Sequence, residues 1–120
     1  YYYELHDPPV DPLTSNGVSE ILLLDNQTLL LMERAYIPDK GNIVKLYESR
    51  LPAEPSYCDD ENKSLPTRFI FDFDAVVDLR IDNAEGMCLN EDGSILYIVT
   101  DNNFNKTQHT QIVALRVNYY

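Results

Sequence analysis

The feature that most constrains the fold is a pair of short apolar runs that occurs twice. Ile81 to Phe104 reads IDNAEGMCLNEDGSILYIVTDNNF, two apolar runs joined by a polar Asn-Glu-Asp-Gly-Ser turn. Runs of this length, bounded by turn residues, predict a β-hairpin. An earlier copy spans Ser19 to Tyr36, with Ile21 to Leu24 and Leu29 to Met32 flanking Asp25-Asn26-Gln27-Thr28. The copies align Glu20 with Glu85 and Leu24 with Leu89, then Leu29 to Met32 with Leu96 to Val99, and Ile43-Val44 with Ile112-Val113. Successive apolar residues in each run imply sheets covered on both faces.

Further strands are expected at Asn42 to Ser49, Arg68 to Asp74 and Gln108 to Val117. In the second of these, alternation places Phe69, Phe71 and Phe73 on one face of a half-exposed outer strand. No helix is required. Residues 1–17, with Pro8, Pro9 and Pro12, read as an extended approach segment or linker. Residues 18–120 read as an all-β unit whose blade-like parts are 18–80 and 81–120. About four antiparallel strands recurring every 65 to 70 residues is the pattern of a β-propeller blade, with a sandwich as the competing all-β reading. Propellers close with roughly four to eight blades, so the expectation is a fragment of a larger propeller, completed by further blades of a longer chain.

Composition excludes several functions. The net charge of −11 repels phosphate backbones, which argues against nucleic acid as a partner. Apolar runs of four residues are far too short for a membrane span. Tyr1 is not an initiator methionine, which suggests that the sequence starts inside a longer or processed product. Three glycosylation sequons, at Asn26, Asn62 and Asn105, fall in expected turns or loops and point to a secreted or extracellular protein. Cys58 lies in a polar loop and Cys88 in an apolar strand, and spacing alone does not establish a bridge.

The ordered set Val18-Ser19-Glu20, Met32-Glu33-Arg34-Ala35-Tyr36, Gly41 to Tyr47, Asp82-Asn83-Ala84-Glu85-Gly86-Met87, Leu96 to Phe104 and Thr110-Gln111 resembles the C-terminal part of the phytase-like domain family, described as having esterase-like activity of phytase. The resemblance runs from Val18 to Val117. It implies a propeller-like fold, an exported protein, and hydrolysis of ester or phosphoester bonds in a small-molecule substrate.

The hairpin geometry brings Glu85 and Asp101 to one open end, and Glu20 with Glu33-Arg34 to the equivalent end of the earlier copy. Carboxylates and amide oxygens suit calcium or another divalent cation, which polarises an ester oxygen or lowers the pKa of bound water. Glu20, Glu85 and Asp101 are the expected metal donors, Glu85 and Asp101 the expected catalytic carboxylates, and Arg34, Asn102 and Asn103 the expected substrate-binding groups, with Arg34 neutralising an anion. The structural alternative pairs Glu85 with Arg34 and gives Asp101 and its Asn neighbours turn-forming roles. His6, without a second ligand at metal spacing, reads as an incidental surface histidine. No G-x-S-x-G elbow is present, and neither Ser19 nor His109 belongs to a recognisable triad. The alternative function is a non-catalytic propeller that binds a ligand or a protein.

Overall fold

A computed structural model describes residues 1–6, 15–53 and 64–118. Among these residues, seven strands form two antiparallel sheets. β1 (Asn16–Leu23), β2 (Thr28–Ile37), β3 (Gly41–Arg50) and β4 (Thr67–Asp72) lie in that order in the first; β5 (Asn83–Leu89), β6 (Ile95–Asp101) and β7 (Ile112–Arg116) make the second. The connecting turns follow from their residues. The Asp25 carboxylate accepts bonds from the backbone N–H groups of Gln27 and Thr28 and from the Thr28 hydroxyl, closing the β1–β2 turn. Between β2 and β3, Asp39 and Gly41 take positive φ values of 67° and 101°, a conformation that short polar side chains and glycine tolerate.

One core joins the sheets. Leu30, Met32, Val44 and Leu46 of the first sheet pack with Phe73, Ile81, Ala84, Leu96 and Ile98. Cross-strand partners share a face, and the Met32↔Leu46 pairing fixes the inward face of β2 and β3. Phe73 is fully buried, a contribution of about 2 to 3 kcal/mol from its ring. The opposite face of the first sheet, with Leu31 opposite Tyr47 and Glu33 opposite Lys45, is covered by described residues over β2 and β3 only, and Ile21 and Leu23 of β1 and Phe69 of β4 stay exposed on it. There the Tyr3 hydroxyl reaches Glu33, and the His6 ring stacks on Tyr47. The doubly apolar runs of β2 and β3 are thus explained by the second sheet on one side and the amino-terminal residues on the other.

Three details differ from expectation. Phe69, Phe71 and Phe73 do not share a face, because the register shift between Leu46 and Tyr47 leaves Ile70 as an extra residue in β4. Phe69 therefore turns to Tyr47 on the outer face, while Phe71 and Phe73 make an edge-to-face pair on the core side. Phe73 itself belongs to a single 3-10 turn, Phe73–Ala75, capped by the Asp72 carboxylate on the Asp74 N–H. The internal repeat also has a different register in its first and third strands. Glu20 pairs with Met32 and Gly86 with Val99, so Glu20 matches Gly86 and not Glu85, and Leu23 rather than Leu24 matches Leu89. Met32 pairs with Leu46, and Val99 with Ile112, so the residue matching Ile112 is Leu46 and not Ile43. Neither sheet closes on itself.

Candidate functional site

Both β1 and β5 carry a bulge near their starts. In β1 the register slips between Val18 and Glu20; in β5 it slips between Ala84 and Gly86, leaving Glu85 as the residue outside the ladder. A bulge re-aims its side chain, and here Glu85 turns toward the first sheet. Its Oε1 accepts from Arg34 Nη1 at 2.6 Å and from Asn83 Nδ2 at 2.7 Å, while Arg34 Nη1 also donates to the Ala84 carbonyl at 3.1 Å. Arg34 lies on the core face of β2, near its end, where the apolar interior gives way to the seam between the sheets.

A cleft of about 390 Å³ opens at this seam. Its walls include Arg34 together with the amide side chains of Asn16, Asn42, Asn83, Asn103 and Gln108. The amide nitrogens already donate within the protein, Asn16 to Glu33, Asn42 and Gln108 to Asp82, Asn83 to Glu85 and Asn103 to Gln108. The guanidinium, a planar fork for carboxylate or phosphate, is therefore the group of this cleft suited to an anion. Gly86 of β5 leaves room for its neighbours: a Cβ there would lie 3.2 Å from Val99 Cγ1 and 3.8 Å from Glu20 Oε2.

The expected residues separate into those gathered here and those that are not. Arg34 and Asn103 line the cleft, and Glu85 is bonded to Arg34. Asp101 is exposed at the end of β6, paired through the ladder with Asn83. Glu20 comes close to Gly86, but its Oε1 accepts from the Ile21 N–H. Asn102 serves the loop, its Oδ1 accepting from the Phe104 N–H at 3.1 Å. Among the described residues, no three His, Cys, Asp or Glu side chains are grouped to hold a metal ion. As placed, Glu20, Glu85 and Asp101 do not make a cation cage, since the Oε1 of Glu85 is engaged by two donors. Of the sequons, Asn26 and Asn105 are exposed in turns, and Asn62 lies outside the described residues, as does Cys58. Cys88 is exposed on β5.

Two carboxylate hubs are not legible in the sequence: Asp82, and Glu33, which is expected beside Arg34 at the open end but faces the opposite side of β2. Glu33, 3 % exposed, accepts from the Tyr3 hydroxyl at 2.6 Å, the His6 N–H at 3.2 Å and Asn16 Nδ2 at 2.9 Å, with His6 Nδ1 at 2.9 Å. Burial pushes its carboxyl pKa up, yet the bonds from His6, Tyr3 and Asn16 outweigh this and hold it below the usual range. The same burial, together with Glu33, raises the Tyr3 phenol. Asp82 collects the backbone N–H groups of Asn83 and His109 and the Gln108 amide. Burial raises its pKa less than these bonds lower it. The partners of Glu33 lie 17 to 30 residues away in the chain, and no local spacing signals such a cluster.

A family model described as "Phytase-like: Esterase-like activity of phytase" matches residues 1–104. The chain belongs to the phytase-like family. The match starts earlier than the motifs of β1, taking in Tyr3 and His6, and ends before β7. It therefore contains both Arg34 and Glu85 of this phytase-like chain, though not Gln108 of the cleft wall. No curated protein and no solved structure gives a match.

Proposed function

We propose that the complete phytase-like protein hydrolyses an anionic ester or phosphoester at the Arg34 seam. The observation that carries this reading is the Arg34 guanidinium, already bonded across two sheets and lining a cleft walled by amide side chains. An anionic substrate group competes with Glu85 for Arg34. Once Arg34 binds the substrate, the freed Glu85 carboxylate stands beside it as a general base: it takes a proton from water as the water oxygen bonds to the phosphorus or acyl carbon. The ester oxygen then leaves as an alcohol, receiving a proton from an acid at the same end, the role assigned to Asp101. Asn103 and its amide neighbours orient the substrate, with Asn102 holding the loop that carries Asn103.

Calcium or another divalent cation, with Glu20, Glu85 and Asp101 as donors, belongs to this proposal only if Glu85 is released from Arg34. The hydrolytic step above runs without it. The two sheets are read as successive blades of a propeller completed by other parts of a longer chain. Export is part of the proposal, and the exposed sequons at Asn26 and Asn105 support it. A non-catalytic binding propeller is favoured by one observation: Glu85 is held in an ion pair rather than poised over the cleft.

Turnover of phosphate and carboxylate esters by the whole protein, with and without calcium, tests the reading. Glu85→Gln and Asp101→Asn are expected to lower turnover by about 10²-fold, the usual size of a general acid or base contribution. Unchanged turnover in both variants would remove these assignments, and no turnover on any ester would favour the binding module.

A further inference from the structure

The outer face of the first sheet carries a second constellation that the cleft chemistry does not use. Glu33 accepts from Tyr3, Asn16 and the His6 backbone, and an ionised carboxylate can only accept. The His6 Nδ1 facing it at 2.9 Å therefore carries the proton in the neutral ring. That choice of tautomer leaves Nε2 with its lone pair. Nε2 lies 3.3 Å from Thr67 Oγ1, so the threonine hydroxyl is the donor of that bond. The ring is fixed in this direction by Tyr47, stacked at 3.8 Å and 7°.

We propose that Thr67, His6 and Glu33 form a nucleophile, base and orienting carboxylate that cleave neutral carboxylic esters on the outer face of the first sheet. The order hydroxyl, imidazole, buried carboxylate is the one that activates an alcohol nucleophile. Pinning the amino-terminal residues to the sheet needs only the bonds to Glu33; it does not require a hydroxyl aligned on the opposite ring nitrogen. The surroundings select the substrate. Among the described residues no Lys or Arg bonds to Glu33, whose partners are Tyr3, His6 and Asn16, so its negative charge disfavours phosphate. Phe69 lies on the same side of β4 as Thr67 and is 56 % exposed, offering an apolar rest for the acyl group.

In the first half-reaction, Thr67 Oγ1 bonds to the acyl carbon while its proton passes to His6 Nε2. The tetrahedral adduct then breaks its bond to the ester oxygen, which leaves as an alcohol with the proton from His6. In the second half, water repeats the sequence: its proton goes to Nε2, its oxygen bonds to the acyl carbon, and Thr67 departs with that proton. The products are one alcohol and one carboxylic acid. This inference goes beyond the seam reading, since it uses another face and a substrate of different charge.

The test is acylation of the whole protein by p-nitrophenyl acetate, read as a burst of p-nitrophenolate and as an acetyl group located by peptide mass spectrometry. Because the label is read independently of phosphoester turnover, its failure is distinguishable from failure of the seam reading. The acetyl group is expected on Thr67, absent in Thr67→Val, retained in Thr67→Ser, and formed about 10²-fold or more slowly in His6→Gln. Circular dichroism and urea unfolding confirm that the compared variants are folded. An acetyl group found only on lysine or tyrosine side chains, neither an acetyl group nor release of p-nitrophenolate above the Thr67→Val protein, or labelling of Thr67 at the same rate in folded His6→Gln would each overturn the proposal.

Discussion

Arg34 Nη1 lies 2.6 Å from Glu85 Oε1 and 3.1 Å from the Ala84 carbonyl oxygen, so one side chain of β2 holds the bulge of β5. The pair is partly solvated, with side-chain exposures of 26 % and 42 %, and screening limits its value. A double-mutant cycle on Arg34→Ala and Glu85→Ala, read by urea unfolding, is expected to give a coupling of about 0.2 to 1 kcal/mol. A coupling of several kcal/mol would mean that this pair is a structural clamp, which an incoming anion does not readily open.

Glu33 makes the stability of the protein depend on pH at both ends. Its carboxyl is held below the usual range, as is that of Asp82. The unfolded chain then binds these protons at higher pH than the folded one. Their contribution is present above about pH 4 and is lost as pH falls through the lower, folded values. The Tyr3 phenol is shifted upward, so its contribution is present below about pH 10, where the unfolded phenol ionises, and is lost above it. Urea midpoints across the pH range should fall on both sides. Glu33→Gln should cost about 3 kcal/mol at neutral pH, because it puts an amide among donors that need an acceptor, and should flatten the alkaline limb. A variant as stable as the parent would contradict the hub.

The same two regions show what a sequence reader sees and what folding adds. The strands were legible because apolar runs and polar turns are local signals, and the Arg34–Glu85 pairing was legible as an alternative because the two hairpin ends are equivalent. The position of Phe69 was not. A single extra residue, Ile70, reverses every later side chain in β4, and nothing in RFIFDFD distinguishes the bulged strand from the regular one. His6 was read as incidental for a related reason. Its partners Glu33, Tyr47 and Thr67 come from three different strands, so only the assembled sheet presents them together. Asn102 follows the opposite rule, since its side-chain oxygen accepts from the Phe104 N–H two residues on, a use that the residue type suggests but does not distinguish from ligand binding. Asp82 behaves like Glu33, gathering His109 and Gln108 from 26 to 27 residues away.

Asn26 and Asn105 are exposed in turns whose Thr28 and Thr107 supply the sequon hydroxyls. In a secreted eukaryotic preparation both should carry glycans, seen as mass loss after peptide N-glycosidase treatment and as loss of one glycan in each of Asn26→Gln and Asn105→Gln. The absence of glycan from both sites in protein recovered from the medium would contradict the proposed use of these sequons.

The central claim is that Arg34 receives the anionic group of an ester substrate, and kcat/KM of the whole protein for a phosphoester in Arg34→Gln tests it most directly. Loss of a charge-assisted, bidentate contact is worth about 1.5 to 3 kcal/mol, which predicts a fall of roughly 10- to 100-fold in a folded variant. An Arg34→Gln protein that keeps the parent kcat/KM while remaining folded would contradict it.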